Sequence, residues 1–328
     1  MCIANYNGES LLDTCLRSVL DQVIDGGVEI IVHDDASSDR SLEVLATYPS
    51  VRVIRSDANV GFCESNNRMV AISTGRFVLL LNNDAALEPG ALAALAAAAA
   101  QSTHGDILTL PQLDWESSQL VDLGCQLDPF MNPVPVTQGA GSVAMVIGAC
   151  MWMPRTLWDK IGGFPSWIES IAEDMYVCCA ARYLGHDVRC IDGPAYRHMQ
   201  GKSFGGNRVG NGGLATTYRR RALSERNKTC LLAIFTPTPW MLPVLAVHAT
   251  TMLIEGLAVS LARRTLRPLR EIYLPAIRGA WRRRAVLREE RQRMRSLRVI
   301  TTRDYYSAFT WAPRKLAMLA RHGMPTIS

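Results

Sequence analysis

The stretch Phe77-Val-Leu-Leu-Leu-Asn-Asn-Asp84 indicates both a fold class and the position of a site. Its five consecutive apolar residues, Phe77 to Leu81, are typical of a short strand that is buried on both faces. The polar triplet that follows would be costly to bury without water, a partner or an ion. Because open α/β sheets bind ligands at the carboxyl ends of their strands, we expect a ligand beside Asn82 and Asp84.

Strand and helix patterns alternate on both sides of this stretch, over residues 1–110. Alternation of this kind predicts an α/β fold with a mostly parallel central sheet, built from right-handed crossovers and flanked by helices. No Gly-x-Gly-x-x-Gly sequence follows the first strand and no P-loop occurs, which disfavours a dinucleotide fold of the dehydrogenase type. Residues 111–145 are rich in Gly and Pro and are predicted to be irregular.

The composition is that of a globular protein. Of the 328 residues, 48% are hydrophobic and 20% are charged, which argues against disorder. The nine cysteines show neither paired nor zinc-finger spacing, so we predict a reducing compartment and no zinc site. The first residues lack a basic segment followed by an apolar stretch, and no signal peptide is expected.

Two adjacent acids, Asp34 and Asp35, follow the predicted strand Val28–His33. One interpretation is that they cap the helix predicted after them. The other is that the second acid accepts a hydrogen bond from a ligand, such as the imide N–H of a nucleobase, since one cap would suffice. The residues alone leave both interpretations open.

Asn82 and Asp84 alternate along an extended backbone, so their side chains should point the same way. An amide oxygen and a carboxylate that converge can hold a hard cation such as Mg²⁺ or Mn²⁺, which is usually shared with substrate phosphates. The other interpretation is a turn built from the Asn-Asn-Asp sequence.

Two further positions carry ionisable side chains that chemistry could use. Glu173 and Asp174 begin a predicted helix, where a carboxylate can act as a general base or can simply interact with the helix dipole. His198 could coordinate the same cation or donate a hydrogen bond to a phosphate. A lone histidine is more often an ordinary structural residue.

In this order, the motifs resemble the family 2 glycosyltransferases with the GT-A fold. They are closest to the rhamnosyltransferase-like branch of bacterial surface-polysaccharide enzymes. The resemblance covers roughly residues 1–228. It is carried by NYNG at Asn5–Gly8, VEIIVHDDASSD at Val28–Asp39, NVGF at Asn59–Phe62, LLLNND at Leu79–Asp84, IGGF at Ile161–Phe164, the pair Glu173–Asp174, and His198.

The resemblance implies a donor-binding role for several residues near the amino terminus. Asp35 matches the carboxylate that reads the nucleotide base. Ala4 and Tyr6 match positions near the same pocket, and we assign Asn59 and Asn67 to the donor nucleotide as well.

The resemblance also implies a catalytic centre. Asn82 and Asp84 match the metal motif in its N-x-D form, and His198 matches the histidine on the metal or the diphosphate; the cofactor is therefore a divalent cation, Mg²⁺ or Mn²⁺. Asp174 matches the base that deprotonates the acceptor hydroxyl, with Glu173 as the next candidate. The family inverts the anomeric centre by direct displacement, so one base is enough.

The implied function is transfer of a sugar from a nucleoside-diphosphate donor, dTDP-rhamnose among the candidates, to a hydroxyl of a lipid-linked or glycan acceptor. Three positions depart from the family: Pro165 replaces an Asp, and Tyr176 and Ala180 stand where an Asp and an Arg are frequent. The departures at Tyr176 and Ala180 keep a second interpretation open, a catalytically silent GT-A protein that holds a membrane complex together. A sugar nucleotidyltransferase is disfavoured, because no Gly-rich phosphate loop with a following Arg lies near the first strand.

The carboxyl-terminal part of the chain differs in character. Residues 229–262 contain one formal charge, Glu255. Their apolar stretch has about the length of a membrane span, but His248 and Glu255 make a span costly. We prefer an interfacial hairpin to a marginal span.

The window 263–298 then holds thirteen Arg and three Glu, a formal charge of +10, although the whole chain carries only +5.

Apolar residues recur every three to four positions among these arginines, namely Leu266, Leu269, Tyr273, Ile277 and Trp281. This is the pattern of a basic helix on an anionic membrane surface, although an ordinary surface helix fits it too. We therefore predict a GT-A domain over 1–228 and a helical, membrane-associated appendage over 229–328. The predicted location is the cytoplasmic face of the inner membrane, without a nucleic-acid partner.

Overall fold

The chain forms two compact units. The computed structural model describes residues 1–139, 141–199, 206–210, 213–323 and 326–327. Unit 1 consists of Met1–Gln126 and Pro135–Met199, and unit 2 consists of Leu127–Val134 and Gln200–Ser328.

Strands and helices alternate along the first part of the chain, as the sequence predicts. In chain order these elements are β1 (Cys2–Asn5), α1 (Glu9–Leu20), β2 (Ile31–Asp34), α2 (Ser41–Ala46), β3 (Arg52–Arg55), α3 (Phe62–Ile72), β4 (Phe77–Leu81), β5 (Ala85–Leu87), α4 (Ala91–Gln101) and β6 (Ile107–Thr109). They are followed by β7 (Gln112–Asp114), β8 (Leu120–Asp122), β9 (Cys125–Leu127), β10 (Pro133–Pro135), β11 (Gly141–Ser142), β12 (Cys150–Pro154), α5 (Arg155–Ile161), α6 (Glu173–Tyr183), β13 (Val188–Cys190) and β14 (Tyr196–His198).

The central sheet of unit 1 has eight strands in the order β11-β13-β6-β12-β4-β1-β2-β3. Strands β1 to β4 form parallel pairs, and so do β6 and β13. In contrast, β12 runs antiparallel between β4 and β6, and β11 runs antiparallel to β13. The predicted α/β class is confirmed, but the sheet is mixed, because β12 enters it from the opposite direction to its neighbours.

The apolar patterns of the sequence form the core of unit 1. Helix α1 buries Leu12, Cys15, Leu16 and Val19, which recur at helical spacing. Strand β4 lies between β1 and β12 in the sheet, and its last four residues are buried. Burial contributes about 1.5–3 kcal/mol for each large apolar side chain. The central position of β4 therefore fixes where its polar end emerges.

A second sheet of unit 1, in the order β5-β14-β7-β8, corrects the prediction for the middle of the chain. Residues 111–145, predicted to be irregular, contribute the five short strands β7 to β11. In this sheet β14 pairs antiparallel with β5, so that His198 lies opposite Ala85. This pairing brings His198 next to the residues that follow β4.

Unit 2 is mainly helical. Its elements are β15 (Gly206–Gly210), β16 (Gly213–Thr216), α7 (Tyr218–Phe235), α8 (Met241–Ala262), a π-helical turn (Leu269–Tyr273), α9 (Leu274–Arg282), α10 (Arg284–Leu297), α11 (Thr302–Tyr306), α12 (Arg314–His322) and β17 (Thr326–Ile327). The three strands form a small sheet in the order β15-β16-β17.

The predicted domain boundary after residue 228 falls inside α7, which runs without interruption from Tyr218 to Phe235. The whole of α7 belongs to unit 2, and the structure separates the units after Met199 instead. The assignment of membrane association to the carboxyl-terminal part is not affected by this shift and remains a prediction.

The apolar segment 229–262 is not a hairpin of two equivalent arms. Its first part continues α7, where Leu231, Leu232 and Phe235 are buried inside the protein. Its second part is α8, which by length and composition is the one helix among the described residues that could cross a membrane. Core helices of soluble proteins pass the same test, so the orientation of the side chains of α8 has to decide its role.

We predict that Gly8→Ala destabilises unit 1. A Cβ at this position, between β1 and α1, would lie 2.2 Å from Asn5 Oδ1 and 2.4 Å from Asn83 Nδ2. These two amides are hydrogen-bonded to each other at 2.8 Å, so the clash can be relieved only by separating them. We expect a loss of about 1–3 kcal/mol in the free energy of unfolding, the usual cost of overpacking, measured by denaturant titration.

Gly148→Ala is the matched control, because its Cβ would make an ordinary contact of 3.5 Å with Asp174 Cβ. Equal stability of the two variants would contradict the prediction.

Candidate active site

Three neighbouring strands end in polar residues at one edge of the central sheet. Asn5 ends β1, Asp34 ends β2, and Asn82 follows β4, while the strands lie in the order β4-β1-β2. Asn5 and Asp34 lie opposite each other in the parallel register. Because the carboxyl ends of parallel strands meet at the same edge, the residues predicted to bind a ligand come together there.

The side chain of Asn5 joins these three strand ends. Its Nδ2 donates to Asp34 Oδ1 at 3.1 Å, and its Oδ1 accepts from Asn83 Nδ2 at 2.8 Å. Asn5 is buried, so these bonds form away from water, where an unmade bond would be costly. The sequence prediction selected the neighbouring Ala4 and Tyr6 and missed Asn5, although Asn5 begins the NYNG motif that carries the resemblance.

Asp35 does not cap α2, and neither does Asp34. The backbone N–H of Ser41, at the start of α2, donates a hydrogen bond to Asp39 Oδ1 at 3.0 Å. Asp35 instead accepts hydrogen bonds from the backbone N–H groups of Val60 and Gly61, at 2.7 and 2.8 Å. The capping interpretation is therefore wrong: the carboxylate of Asp35 holds the NVG segment against the end of β2.

The carboxylate of Asp35 has the capacity to accept a further hydrogen bond from a ligand. Each of its oxygens accepts one of these backbone bonds, and a carboxylate oxygen has two lone pairs. Tyr6, two positions after Ala4, is exposed beside the same strand ends. Asn59 is exposed too, one residue before the segment that Asp35 holds. Tyr6 and Asn59 can meet a ligand from solvent, whereas Asp35 itself is buried.

Asn67 is engaged differently from its predicted role. Its Nδ2 donates to the carbonyl of Phe164 at 2.8 Å, and its Oδ1 accepts from the N–H of Phe164 at 3.0 Å. A Cβ on Gly163, which has φ +69, would lie 2.7 Å from Asn67 Oδ1. The amide of Asn67 therefore holds the IGGF turn, and its assignment to the donor nucleotide stays a prediction.

Asn82, Asp84 and His198 lie together, as the resemblance implies. His198 Nε2 is 3.2 Å from Asp84 Oδ1 and 3.5 Å from Asn82 Nδ2. Asp84 and His198 are both buried. The alternation along the end of β4 and the pairing of β14 with β5 together produce this cluster.

The donor groups of this cluster fit a divalent cation. Among the described residues no group of three or more His, Cys, Asp and Glu side chains could hold a metal ion, so a site here would need the amide as a third ligand. Asn82 Oδ1 is buried and accepts no hydrogen bond from any described residue. An amide oxygen, a carboxylate and an imidazole are ligands that Mg²⁺ or Mn²⁺ accepts in proteins.

Gln112 and Tyr196, which were not predicted as site residues, orient His198. Gln112 Oε1 accepts a hydrogen bond from the Tyr196 hydroxyl at 2.6 Å and lies 3.3 Å from His198 Nδ1. The Gln112 carbonyl oxygen can only accept, so its contact with His198 calls for a ring N–H on Nδ1. The Asp84 carboxylate also only accepts, so its contact with Nε2 calls for an N–H there. A cation held at this point would instead need Nε2 without its proton, the arrangement in which imidazole binds metals.

Glu173 and Asp174 are the first two residues of α6. The backbone enters this helix through residues in the left-handed region, with φ 67 at Glu169, 71 at Ile171 and 73 at Ala172. Non-glycine residues in this region cost about 1–3 kcal/mol each and concentrate at functional sites. The surrounding structure therefore imposes the position of the two acids.

Contacts place Asp174 at the same sheet edge as the cluster. Its Oδ2 accepts from the N–H of Gly148 at 3.2 Å, and the carbonyl of the next residue, Ala149, accepts from the N–H of Asn82 at 3.0 Å. Burial raises the pKa of the Cys63 thiol, and the charges of Glu173 and Asp174 raise it further, so both acids also lie near the start of α3.

Tyr176 and Ala180, two positions that depart from the family pattern, are fully buried. The ring of Tyr176 packs edge-to-face against Trp167, with centroids 6.2 Å apart. These residues therefore serve the packing of α6 in unit 1.

A buried acid that was not predicted from the sequence lies near His198. Asp122, at the end of β8, accepts from the N–H of Gly124 at 2.9 Å. Burial raises its pKa from 3.8 to about 6, although that hydrogen bond and the charge of His198 act in the opposite direction. No pattern in the sequence distinguishes this acid from a surface residue, because its burial depends on the second sheet.

We predict that Asp122→Asn stabilises the protein at neutral pH. Since the folded pKa is higher than the unfolded one, the folded state binds more protons between about pH 4 and 6, and stability falls as pH rises through this window. The variant cannot ionise but keeps the acceptor for Gly124. Its gain in the free energy of unfolding, at most about 3 kcal/mol, should appear at pH 7 and vanish below about pH 4.

Denaturant titrations across pH 3.5–7.5 measure this effect. Asp187→Asn, at an exposed acid, should leave the pH profile unchanged. A variant that is less stable than the wild type at pH 7 would contradict the prediction.

Parts of the sequence are similar to a protein family and to other proteins. Residues 1–162 match the family model described as Glycosyl transferase family 2. YibD of Escherichia coli (strain K12), an uncharacterized glycosyltransferase, is 32% identical over 88 residues, which are 26% of this chain and 25% of YibD. The chain spans less than a third of the length of the curated relatives that it matches.

Two solved structures resemble most of the chain in fold. S. aureus TarS 1–349 in complex with UDP-GlcNAc gives a TM-score of 0.57 at 16% identity and covers 90% of this chain and 89% of that chain. The mannosyltransferase PcManGT from Pyrobaculum calidifontis, in complex with GDP-Man and Mn²⁺, gives a TM-score of 0.50 at 15% identity and covers 90% of this chain and 84% of that chain. Residues 1–162 are therefore similar to Glycosyl transferase family 2, and the likeness to these two structures shows a glycosyltransferase fold of the GT-A type.

Proposed function

We propose that unit 1 is an inverting glycosyltransferase that moves a sugar from a nucleoside-diphosphate donor to an acceptor hydroxyl. The observation that carries the proposal is the cluster of Asn82, Asp84 and His198 at the carboxyl ends of the central strands. The cluster has the donor atoms of a cation site. Asp35 and Asp174 lie along the same sheet edge, where a donor and a base would be needed.

The donor is a sugar nucleotide whose base lies beside Asp35. In this proposal Ala4 and Tyr6 form the wall of the base pocket, and Asn59 contacts the donor from the exposed loop. The complexes of TarS with UDP-GlcNAc and of PcManGT with GDP-Man support a nucleoside-diphosphate sugar as the ligand class. dTDP-rhamnose, the donor implied by the rhamnosyltransferase-like resemblance, is one member of this class.

A divalent cation, Mg²⁺ or Mn²⁺, would be held by Asn82 Oδ1, the Asp84 carboxylate and His198 Nε2. Bound there, a cation supplies positive charge that stabilises the departing diphosphate. The Mn²⁺ in the PcManGT complex supports this choice of cofactor. Gln112 keeps the His198 ring in the orientation that such a site needs.

Asp174 is the proposed general base. As the acceptor oxygen forms its bond to the anomeric carbon, the bond from that carbon to the diphosphate oxygen breaks, and the hydroxyl proton passes to the Asp174 carboxylate. A single displacement of this kind inverts the anomeric centre. The strained entry into α6 supports a catalytic position for this acid, and Glu173 is the alternative base.

The silent-scaffold alternative loses part of its support. It rested on Tyr176 and Ala180, which depart from the family pattern. Both residues pack inside unit 1, so their identity reflects the core of α6 and carries no information about the loss of catalysis.

We further propose a lipid-linked or glycan acceptor, and a location at the cytoplasmic face of the inner membrane. Support comes from α8, a helix apolar and long enough to interact with a bilayer, and from the arginines that follow it. An enzyme held at the membrane would meet a lipid-linked acceptor at high local concentration.

We predict that turnover requires Mg²⁺ or Mn²⁺ and that Asp84→Ala abolishes it. Release of nucleoside diphosphate from a panel of sugar nucleotides measures turnover. Asp159→Ala, at an acid on the exposed side of α5, should behave as the wild type. Full activity in excess chelator would refute the cation site.

We predict that Asp174→Asn binds the donor normally but transfers sugar at least ~10²-fold more slowly, the scale of removing a general base. Donor affinity and single-turnover transfer are measured separately. Glu173→Gln is the companion variant: if it loses transfer while Asp174→Asn keeps it, the base is Glu173.

A further inference from the structure

Helix α8 exposes large apolar side chains and turns ionisable ones inward, whereas a helix at a water-facing surface does the opposite. Its buried positions are His248, Met252, Gly256, Val259 and Ser260, which recur at helical spacing. Two of these five are polar. The ionisable side chains of α8, His248 and Glu255, point into unit 2, whereas its two threonines, Thr250 and Thr251, are exposed. A helix at a water-facing surface would turn its ionisable groups outward.

The inward-facing ionisable groups of α8 have partners within unit 2. Glu255 forms ion pairs with Arg221 and with Lys315, the latter at 2.7 Å. His248 Nε2 lies 3.0 Å from Thr229 Oγ1, and its ring stacks on Phe130. The two residues that made a span costly in the sequence are thus bonded to α7, to α12 and to the segment 127–134.

The outward-facing side of α8 carries no charged residue. The large apolar residues exposed on it are Leu242, Val247, Leu253, Ile254, Leu257 and Leu261. Leu242 is 68% exposed, Ile254 61% and Leu261 78%. A helix of 22 residues is about 33 Å long, so this side of α8 is a long, mainly apolar strip that includes the exposed Thr250. Soluble surfaces rarely leave a large apolar patch uncovered.

The arginines of the window 263–298 divide into two groups. Some are structural: Arg291 Nη1 donates to the carbonyls of Ala233, Ile234 and Thr236, at 2.9, 3.0 and 2.7 Å. Eight others are exposed, namely Arg264, Arg267, Arg270, Arg278, Arg282, Arg284, Arg288 and Arg295. The exposed acids in this window are Glu271 and Glu289, so the exposed positive charge of unit 2 is complementary to an anionic surface.

We propose that the outward side of α8 is a membrane-docking surface that lies flat in the interface of an anionic leaflet. The partner is a lipid surface, because an uncharged strip and an excess of exposed arginine fit acyl chains and anionic headgroups together. The helix lies flat and does not span, since its other side is bonded to unit 2 through Glu255 and His248. This inference rests on the proposed function and deepens it by naming how the protein meets a membrane-held acceptor.

Flotation of the full-length protein with vesicles tests the surface. The double variant Ile254→Glu/Leu257→Glu places two charges on the strip. We expect the wild type to bind vesicles containing phosphatidylglycerol more strongly than pure phosphatidylcholine vesicles and to stay bound in high salt, and the variant to bind at least ~10-fold less. Val23→Glu is the control, because Val23 is 85% exposed in unit 1 and should bind as the wild type does.

Two outcomes would overturn the proposal. Unchanged vesicle binding by a folded double variant would show that the strip does not insert. A wild-type dimer that dissociates in the double variant, without vesicle binding, would identify the strip as a protein interface.

Depth measurements separate a flat helix from a spanning one. The nine native cysteines are all buried, so spin labels can be directed to Leu242→Cys and Leu261→Cys at the two ends of the strip. Similar shallow depths at both positions are expected, and a large difference in depth would indicate a span and refute the flat orientation.

The docking surface and the proposed transferase activity can be tested separately. Donor hydrolysis in solution should be the same for the wild type and Ile254→Glu/Leu257→Glu. Vesicle binding without any donor hydrolysis would refute the transferase and leave the surface intact.

Discussion

The candidate site depends on one buried amide. Asn5 bonds to Asp34 on one side and to Asn83 on the other, so a single side chain fixes the relative positions of the ends of β1, β2 and β4. Gly8 has to lack a side chain for this contact to exist. Without it, the turn after β4 would lose its side-chain bond to β1, although the carbonyl of Asp84 would keep the hydrogen bond from the N–H of Met199.

Hydrogen bonds of Asp35 and Asp174 hold two further segments against this edge of the sheet. Asp35 holds the NVG segment through two backbone hydrogen bonds, which keeps the start of α3 close to the strand ends. Asp174 reaches Gly148, next to the residue whose carbonyl receives the N–H of Asn82. The proposed nucleotide, cation and base positions are therefore connected through short bonded paths within unit 1, and we expect a substitution at one of them to affect the others.

Local patterns are enough to predict the alternating strands and helices and the polar ends of β2 and β4, because burial period and strand length are local properties. The antiparallel β12, the second sheet and the orienting role of Gln112 are not predictable in this way, since each depends on pairing between segments far apart in the chain. Asp34 and Asp35 match the local signature of a helix cap, whereas the bonds of Asp35 to Val60 and Gly61 have no local signature. The composition of segment 229–262 suggests a hairpin. Composition alone does not show that the beginning of this segment is the end of α7.

The central claim is that Asn82, Asp84 and His198 hold a cation beside a bound nucleoside diphosphate. Crystals grown with Mn²⁺ and the most tightly bound nucleoside diphosphate test this most directly, through the anomalous signal of manganese. The account predicts one peak bounded by Asn82 Oδ1, the Asp84 carboxylate and His198 Nε2, in contact with the diphosphate and with the base beside Asp35. A nucleotide bound elsewhere, or a peak remote from these three residues while His198 and Asp84 stay paired, would contradict it.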